Sequence, residues 1–352
     1  MYGGKTKMEI GKKTISGMSN NFTENDIRPK DLVVGQQAAI KHDIDFLISH
    51  KEEFVYVNCP ACDEDESALK YKKFGLVYYE CKNCKTIYTN PRPDSTLLGK
   101  FYAQSANYEY WNKYIFPASE KIRREKIFKP RVDKILAFCE KYDALKNSLL
   151  EVGAGFGTFC EELQSRNIFK KIVAVEPTPS LAETCRNKGI TTIEKPIEKI
   201  ILNEEEKFDV VVNFEVIEHL HSPLEFINQC KKLLKKNGLF VVTCPNGKGF
   251  DIITLNEISN TIDHEHLNYF NPDSLSLLLQ KCGFDILEVS TPGVLDADLV
   301  RNAVTEGGFS LENQPFLKSI LIDNWKTCGK LFQEFLIANK LSSNMWIVAK
   351  AK

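Results

Sequence analysis

Three groups of residues in this 352-residue chain have types and spacings that could do chemistry. Cys59, Cys62, Cys81 and Cys84 form two C-x-x-C pairs with 18 residues between them. Each pair offers two thiolates from one tight turn, and four thiolates complete a tetrahedral shell, the spacing of a structural zinc site. Such a shell has no open position for a substrate. Iron in a rubredoxin-like site is the alternative. A second group is Glu151-Val-Gly-Ala-Gly-Phe-Gly157, whose glycines let the backbone turn tightly and a ligand approach closely. Glu176 follows the middle glycine by 21 residues, where an acid can accept hydrogen bonds from ribose hydroxyls. The third group is Asp263-His-Glu-His266. A histidine titrates near neutrality and, oriented by a carboxylate, serves as a general base. His266 with Glu265 is the expected base and its partner, and His264 the next choice.

The elements that must position these groups follow from periodicity. Short apolar runs at Leu149–Val152, Ile172–Glu176, Phe208–Val212 and Gly238–Thr243 alternate with amphipathic segments, as in Phe226, Cys230, Leu233 and Leu234. That βαβα rhythm gives an α/β fold with a mostly parallel sheet and helices on both faces. Further strands are expected at Phe284–Val289 and Met345–Ala349, with helices over 292–341. The glycine loop leaves the first of these strands, and Glu176 ends the second. Upstream, Ile40, Ile44, Leu47 and Ile48 line one helical face, and Val132, Ile135, Leu136 and Cys139 another, with Pro130 marking a kink or boundary. Val55–Val57 and Gly75–Tyr79 read as β-like. The expected divisions are an arm and helix over 1–54, with residues up to about 28 as polar arm, and a zinc module over 55–90. An aromatic-rich helical region over 91–147 and a cofactor-binding domain over 148–352 complete the chain.

The glycine spacing bears on which cofactor the loop takes. The dinucleotide fingerprint G-x-G-x-x-G/A requires Gly or Ala at position 158, where this chain has Thr158. The observed E-x-G-x-G-x-G resembles the first motif of class I S-adenosylmethionine-dependent methyltransferases. Asn213-Phe-Glu-Val-Ile-Glu-His-Leu220 and Thr243-Cys-Pro-Asn-Gly247 extend the resemblance over about 148–291 and 343–350. It implies a Rossmann-like seven-stranded sheet with S-adenosylmethionine bound at the loop. Gly153, Ala154, Gly155 and Gly157 would line its methionine and ribose end, with Glu151 opening the motif. Glu176 would hold the ribose hydroxyls, and Phe214 and Glu215 would flank the sulfonium. Ile197 would cover the adenine, although Lys195-Pro196 departs from the acid common in that turn.

A four-cysteine module ahead of such a domain is similar to bacterial sugar methyltransferases of deoxysugar and surface-polysaccharide pathways. Asn90-Pro-Arg-Pro93 and the aromatic run Phe101, Tyr102, Tyr108, Tyr110, Trp111, Tyr114 and Phe116 suit that group. The resemblance implies a small-molecule acceptor, a nucleotide-linked sugar, methylated with His266 as base and no catalytic metal. Those aromatics read as core before ligand platform. Arg123, Arg124 and Arg131 could reach a phosphate, though a solvated helix face is the plainer reading. A metal set from the two H-x-H units with Glu218 competes with the base, as do capping or core roles for His264, His219 and His221.

Composition narrows the rest. Lys and Arg total 46 against 47 Asp and Glu, a formal charge of −1, so no basic excess supports nucleic-acid binding. Acidic Asp63-Glu-Asp-Glu66 beside the cysteines would repel phosphates, and no P-P-Y or P-C motif follows the fourth strand. No apolar run is long enough for a membrane span, and the first residues lack a signal-peptide core, so a cytoplasmic protein is expected. The seven other cysteines read as buried, reduced thiols, Cys244 among them. A different class of reading is a zinc-ribbon binding module with a vestigial cofactor site.

Overall fold

Strands Ser148–Val152 (β4) and Phe208–Phe214 (β7) are buried at every residue, Glu151, Asp209 and Asn213 included, and their short apolar runs Leu149–Leu150 and Val210–Val212 are covered on both faces. They are neighbours in a seven-stranded sheet of order β10-β11-β8-β7-β4-β5-β6. The other members are Lys171–Val175 (β5), Thr191–Ile193 (β6), Leu234–Pro245 (β8), Phe284–Ser290 (β10) and Asn344–Ala351 (β11). From β8 to β6 all pairings are parallel, while β11 runs antiparallel to both β8 and β10. The chain builds outward from β4 in one direction, through β5 and β6, then returns to lay β7 and β8 on the other side. The order therefore reverses between β4 and β7, and a crevice opens there at the carboxyl ends of the strands. This is the expected class I methyltransferase sheet. The structure, a computed structural model, describes residues 24–352, so the expected arm up to residue 23 lies outside the described residues. Glu24–Ile27 is a short helix.

A second sheet has four strands, Ser67–Lys73 (β1), Leu76–Cys81 (β2), Ile87–Thr89 (β3) and Asn268–Tyr269 (β9), in that order. Three belong to the cysteine module, but β9 comes from the segment that follows Asp263-His-Glu-His266. Ile87 pairs with Tyr269 and Tyr88 with Asn268. The module thus extends beyond the expected 55–90 by borrowing a strand from the other domain. Val55–Val57 is not a strand, since it makes only one bridge, Val55 to Arg92.

Helix Lys30–Ser49 carries the early apolar face, and helices over 95–141 lead into β4. Pro130 lies in the first turn of Lys129–Lys141, directly after the π-turn Arg124–Phe128, so the helical backbone continues through it with a change of winding rather than starting there. The expected helices over 292–341 include Asp296–Thr305 and Trp325–Ala338, which share a core with Phe250 and Leu255. Asp296, buried, accepts from Gln333 Nε2 at 2.7 Å and from Ser342 Oγ, which ties these helices to the start of β11. Six of the seven scattered cysteines are buried, but Cys328 is partly exposed on Trp325–Ala338. No helix among the described residues is long and apolar enough to cross a membrane.

Candidate functional site

The loop after β4 holds Gly153, Gly155 and Gly157 at φ of +77°, +55° and +71°. Side chains are excluded at two of these for different reasons. A Cβ on Gly153 or Gly157 would strike Val216 or Ile190, at 2.5 and 2.6 Å, whereas one on Gly155 would meet nothing within 4 Å. Gly155 therefore opens onto free space. The loop is held from below. Glu176 Oε2 accepts the Gly155 N–H at 2.8 Å and Oε1 the Thr178 N–H at 2.9 Å. Each oxygen keeps a lone pair for a further donor. Burial raises the Glu176 carboxyl, and burial pushes Glu151 up to about 8, where it accepts from Cys160 Sγ at 3.0 Å. Glu151 is a buried support beneath the loop.

At the other end of the crevice, Asp263 organises the loop that carries His264, Glu265 and His266. Its Oδ1 accepts the backbone N–H groups of Glu265 and His266, both at 2.9 Å, and its Oδ2 lies 3.4 Å from His266 Nδ1. The Thr261 carbonyl is 3.2 Å from the same Nδ1. Two oxygens facing Nδ1 place the ring proton there and leave the lone pair on Nε2. The expected pairing of Glu265 with His266 is thereby corrected. Glu265 Oε1 instead accepts from Asn107 Nδ2 at 2.6 Å and lies 3.6 Å from His264 Nε2. A side chain one residue before His266 points away from it, while one three residues before it folds back.

His264 is buried against the rings of Phe74 and Phe101, with Asp43 Oδ2 at 4.0 Å. Burial works against its charge, but Asp43 and Glu265 outweigh burial and raise it. Asp43, from helix Lys30–Ser49, also accepts from Ser105 Oγ at 2.5 Å and from the N–H groups of Ala106 and Asn107. Burial would raise that carboxyl, and these donors together with His264 hold it low. For Asp263, the charges of His266, His264 and His219 overcome burial in the same way.

One cleft of about 1630 Å³ joins these two ends, from Gly155 and Phe156 past Glu215 to Glu218, His219 and His266. Residues 121–289 match the family model described as a methyltransferase domain. This stretch is a methyltransferase domain.

Curated relatives agree. A ubiquinone biosynthesis O-methyltransferase of Roseobacter denitrificans is 28% identical over 163 residues, 44% of this chain and 65% of that protein. A probable S-adenosylmethionine-dependent methyltransferase of Mycobacterium tuberculosis is 26% identical over 180 residues, 50% of this chain and 62% of that protein. The chain thus spans less than two thirds of the length of these relatives. Among solved structures, a SAM-dependent methyltransferase from Archaeoglobus fulgidus is 20% identical with a TM-score of 0.46, covering 68% of this chain and all of that one.

Within the methyltransferase domain, the expected cofactor residues divide into wall and support. Gly155 and Glu215 line the cleft, joined by Phe156, which stacks on Phe116 with centroids 3.6 Å apart. Glu215 holds φ +56° and accepts from Thr243 Oγ1 at 2.5 Å and Asn344 Nδ2 at 3.1 Å. Phe214 does not face the cleft. Its ring packs among Phe159, Trp346 and Arg131 in the core, because the residues of a strand alternate between faces. Ile197 is likewise buried beside Ile200 and Phe226, away from the cleft wall.

The four cysteine sulfurs lie within 4.8 Å of one another, with Cys59–Cys84 at 3.5 Å and Cys62–Cys81 at 3.4 Å. A tetrahedral shell with zinc–sulfur bonds of ~2.3 Å has edges of ~3.8 Å, so the set fits a closed zinc site. Cys59, Ala61 and Cys81 of the module share one buried apolar cluster with Leu275 and Leu278 of the methyltransferase domain. Asn271 Nδ2 and Lys281 Nζ also donate to the Cys84 and Cys62 carbonyls, at 2.9 and 2.6 Å.

The solvated-face reading of the arginines is corrected. Arg124 is committed to Glu120, Glu161 and Glu162, at 3.0, 2.7 and 2.6 Å. Arg123 binds the Ile27 carbonyl over Trp111, and Arg131 lies 4.3 Å over Phe214. Arg123 and Arg124 are thus engaged within the protein, and Arg131 packs on aromatic rings rather than on an open helix face. The aromatic run splits. Phe101 and Phe116 are core, while Tyr102, Tyr108 and Trp111 line the cleft. Of the proposed H-x-H metal set, His221 turns away to the Pro93 carbonyl, while Glu218, His219 and His266 keep donor atoms within 4.8 Å. Sequence reasoning missed Asp43 and Asn107, whose positions carry no local motif, and gave Arg92 no role of its own within Asn90-Pro-Arg-Pro93. The Arg92 side chain is fully buried and binds Asn268 Oδ1 at 2.9 Å and the His221 carbonyl at 3.2 Å.

Proposed function

We propose that this chain is an S-adenosylmethionine-dependent methyltransferase acting on a small acceptor, a nucleotide-linked sugar. The observation that carries the reading is one cleft with both Gly155 and His266 in its wall, open beside Gly155. When bound at the glycine loop, S-adenosylmethionine supplies a methyl group already activated by its sulfonium. Glu176 accepts from the ribose hydroxyls, and the Gly153–Gly157 backbone leaves room for the methionine end. Glu215 flanks the sulfonium side, where a carboxylate favours positive charge. His266 Nε2 takes the proton of the acceptor as its nucleophile forms, and Asp263 stabilises the resulting imidazolium. Glu265 and His264 set the loop's conformation through Asn107 and Asp43. The four cysteines hold a structural zinc ion that fixes the module against this loop through β9.

The sugar is supported by the pairing of a four-cysteine module with this domain, and by N-terminal residues in the cleft wall that enlarge the acceptor side. The name of the Roseobacter denitrificans relative favours a second reading, a non-sugar metabolite methylated on oxygen. Incubating the full chain with methyl-labelled S-adenosylmethionine tests both, using nucleotide sugars with free hydroxyl or keto groups and a catechol. Label on a nucleotide sugar is expected. Label on the catechol alone favours the second reading, and no transfer to any member counts against the first.

A further inference from the structure

Asp251 lies in the short helix Phe250–Leu255 after β8, is 1% exposed, and is engaged by three hydroxyl groups. Its Oδ2 accepts from Ser259 Oγ at 2.8 Å and from Thr261 Oγ1 at 2.6 Å, and its Oδ1 from Ser343 Oγ just before β11. Ser259 Oγ in turn accepts the Thr261 N–H at 3.1 Å, and Lys73 Nζ of the cysteine module donates to the Ser259 carbonyl at 2.8 Å. Residues 259–261 are therefore clamped from two sides. What the clamp holds is the Thr261 carbonyl. That oxygen accepts from Tyr269 Oη at 3.2 Å and stands 3.2 Å from His266 Nδ1, nearer than the Asp263 carboxyl oxygen at 3.4 Å. A carbonyl oxygen can only accept, so a hydrogen bond here requires the proton on Nδ1 and leaves the lone pair on Nε2.

We propose that Asp251 is a positioning residue for His266: through Thr261 Oγ1 and Ser259 Oγ it holds the Thr261 carbonyl against Nδ1, and so keeps the ring in the tautomer whose Nε2 can take a proton. This deepens the methyltransferase reading and rests on it. If the Thr261 carbonyl turned away, Nδ1 would keep only the Asp263 oxygen at 3.4 Å, beyond the ~2.7–3.2 Å of an ordinary N–H···O bond. Asp251 itself is spoken for, since two hydroxyls occupy both lone pairs of its Oδ2. Its third donor, Ser343, precedes Asn344, whose Nδ2 donates to Glu215 Oε1 at 3.1 Å. One carboxylate thus ties the base to the strand end that holds the sulfonium side. Partners of this kind, one bond removed from the reacting group, set the orientation and tautomer of an imidazole.

The test uses the full chain and two variants of one side chain. Thr261→Val removes the hydroxyl that Asp251 holds but keeps the backbone carbonyl, whereas Thr261→Ser keeps a hydroxyl. Magnetic resonance of protein labelled with ¹⁵N-histidine, at pH ~8 and so above the ordinary histidine range, reads the tautomer of His266, whose signals are those missing in His266→Ala. The parent and Thr261→Ser should show the Nδ1–H form, and Thr261→Val a loss of that form toward Nε2–H. That measurement needs no acceptor. Asp251→Ala should shift the tautomer in the same direction, and the Thr261 pair carries the test by itself if Asp251→Ala does not fold. With the acceptor found by the labelling panel, Thr261→Val should lower kcat at least ~10-fold with KM for S-adenosylmethionine unchanged. Thr261→Ser should keep most of the parental rate. An unchanged Nδ1–H form in Thr261→Val would overturn the proposal, as would Thr261→Ser behaving like Thr261→Val. A changed tautomer with parental turnover would uphold the positioning and remove His266 as the base. If the parent methylates nothing in the panel, the methyltransferase reading fails by itself and the resonance spectra still decide what Asp251 holds.

Discussion

Asp263 places one carboxyl oxygen 3.4 Å from Nδ1 of His266 while the other accepts the backbone N–H of the same residue at 2.9 Å. The side chain and backbone of the expected base are thus set by one acid, three residues earlier. His266→Ala should lower turnover by the ~10²–10⁴ typical of a lost general base, with affinity for S-adenosylhomocysteine unchanged. Asp263→Asn should cost less than that, and Glu265→Gln less again. Steady-state kinetics on the three variants checks the order. A larger loss for Glu265→Gln than for Asp263→Asn would restore Glu265 as the orienting acid.

The Asp43–His264 contact has a pH signature. His264 is raised in the folded state, so its contribution is complete below its unfolded value of ~6.5 and is lost as pH rises through the folded one. Asp43 is lowered, so its contribution is present above ~3.9 and is lost as pH falls through the folded value. The stability gap between parent and Asp43→Asn, from urea unfolding, should be larger near pH ~5.5 than near ~8.5. A gap that does not change with pH would show that the two side chains are not electrostatically linked.

The four-cysteine cluster joins two halves of the chain. Purified protein should carry about one zinc per chain. Cys81→Ser should lower Tm by more than it weakens S-adenosylhomocysteine binding, because β3 holds β9 and the module shares a buried apolar cluster with Leu275 and Leu278. Elemental analysis of protein purified without chelator, showing no metal, would remove the zinc from the account.

Gly155 separates space from strain. Its φ of +55° makes any side chain costly, by roughly 1–2 kcal/mol, yet no atom stands in the way of a Cβ. Gly155→Val should fold with a modest loss of stability while S-adenosylhomocysteine binding is abolished. Retained binding in a folded variant would move the cofactor elsewhere.

Much of the sheet was legible because β4 and β7 are covered on both faces and carry short apolar runs at Leu149–Leu150 and Val210–Val212. β1 was not, since Ser-Ala-Leu-Lys-Tyr-Lys-Lys buries only Tyr71 and its other side chains face outward. Two-residue β9 has no periodicity to read. The glycine loop and the cysteines announced themselves through spacing, which is local. The side chains that hold the acceptor loop did not. Asp43 and Asn107 reach Glu265 and His264 across most of the chain, and only packing brings them together. Phe214 and Ile197 were assigned by position within a motif, and the side to which each turns is a property of the strand and core.

The central claim is that the Gly153–Gly157 loop binds S-adenosylmethionine, and calorimetry of the full chain with S-adenosylhomocysteine tests it most directly. One site per chain is expected, with binding lost in Gly155→Val and preserved in His266→Ala. No heat of binding in the folded parent at ~1 mM ligand, where even −4 kcal/mol of affinity would register, would contradict it.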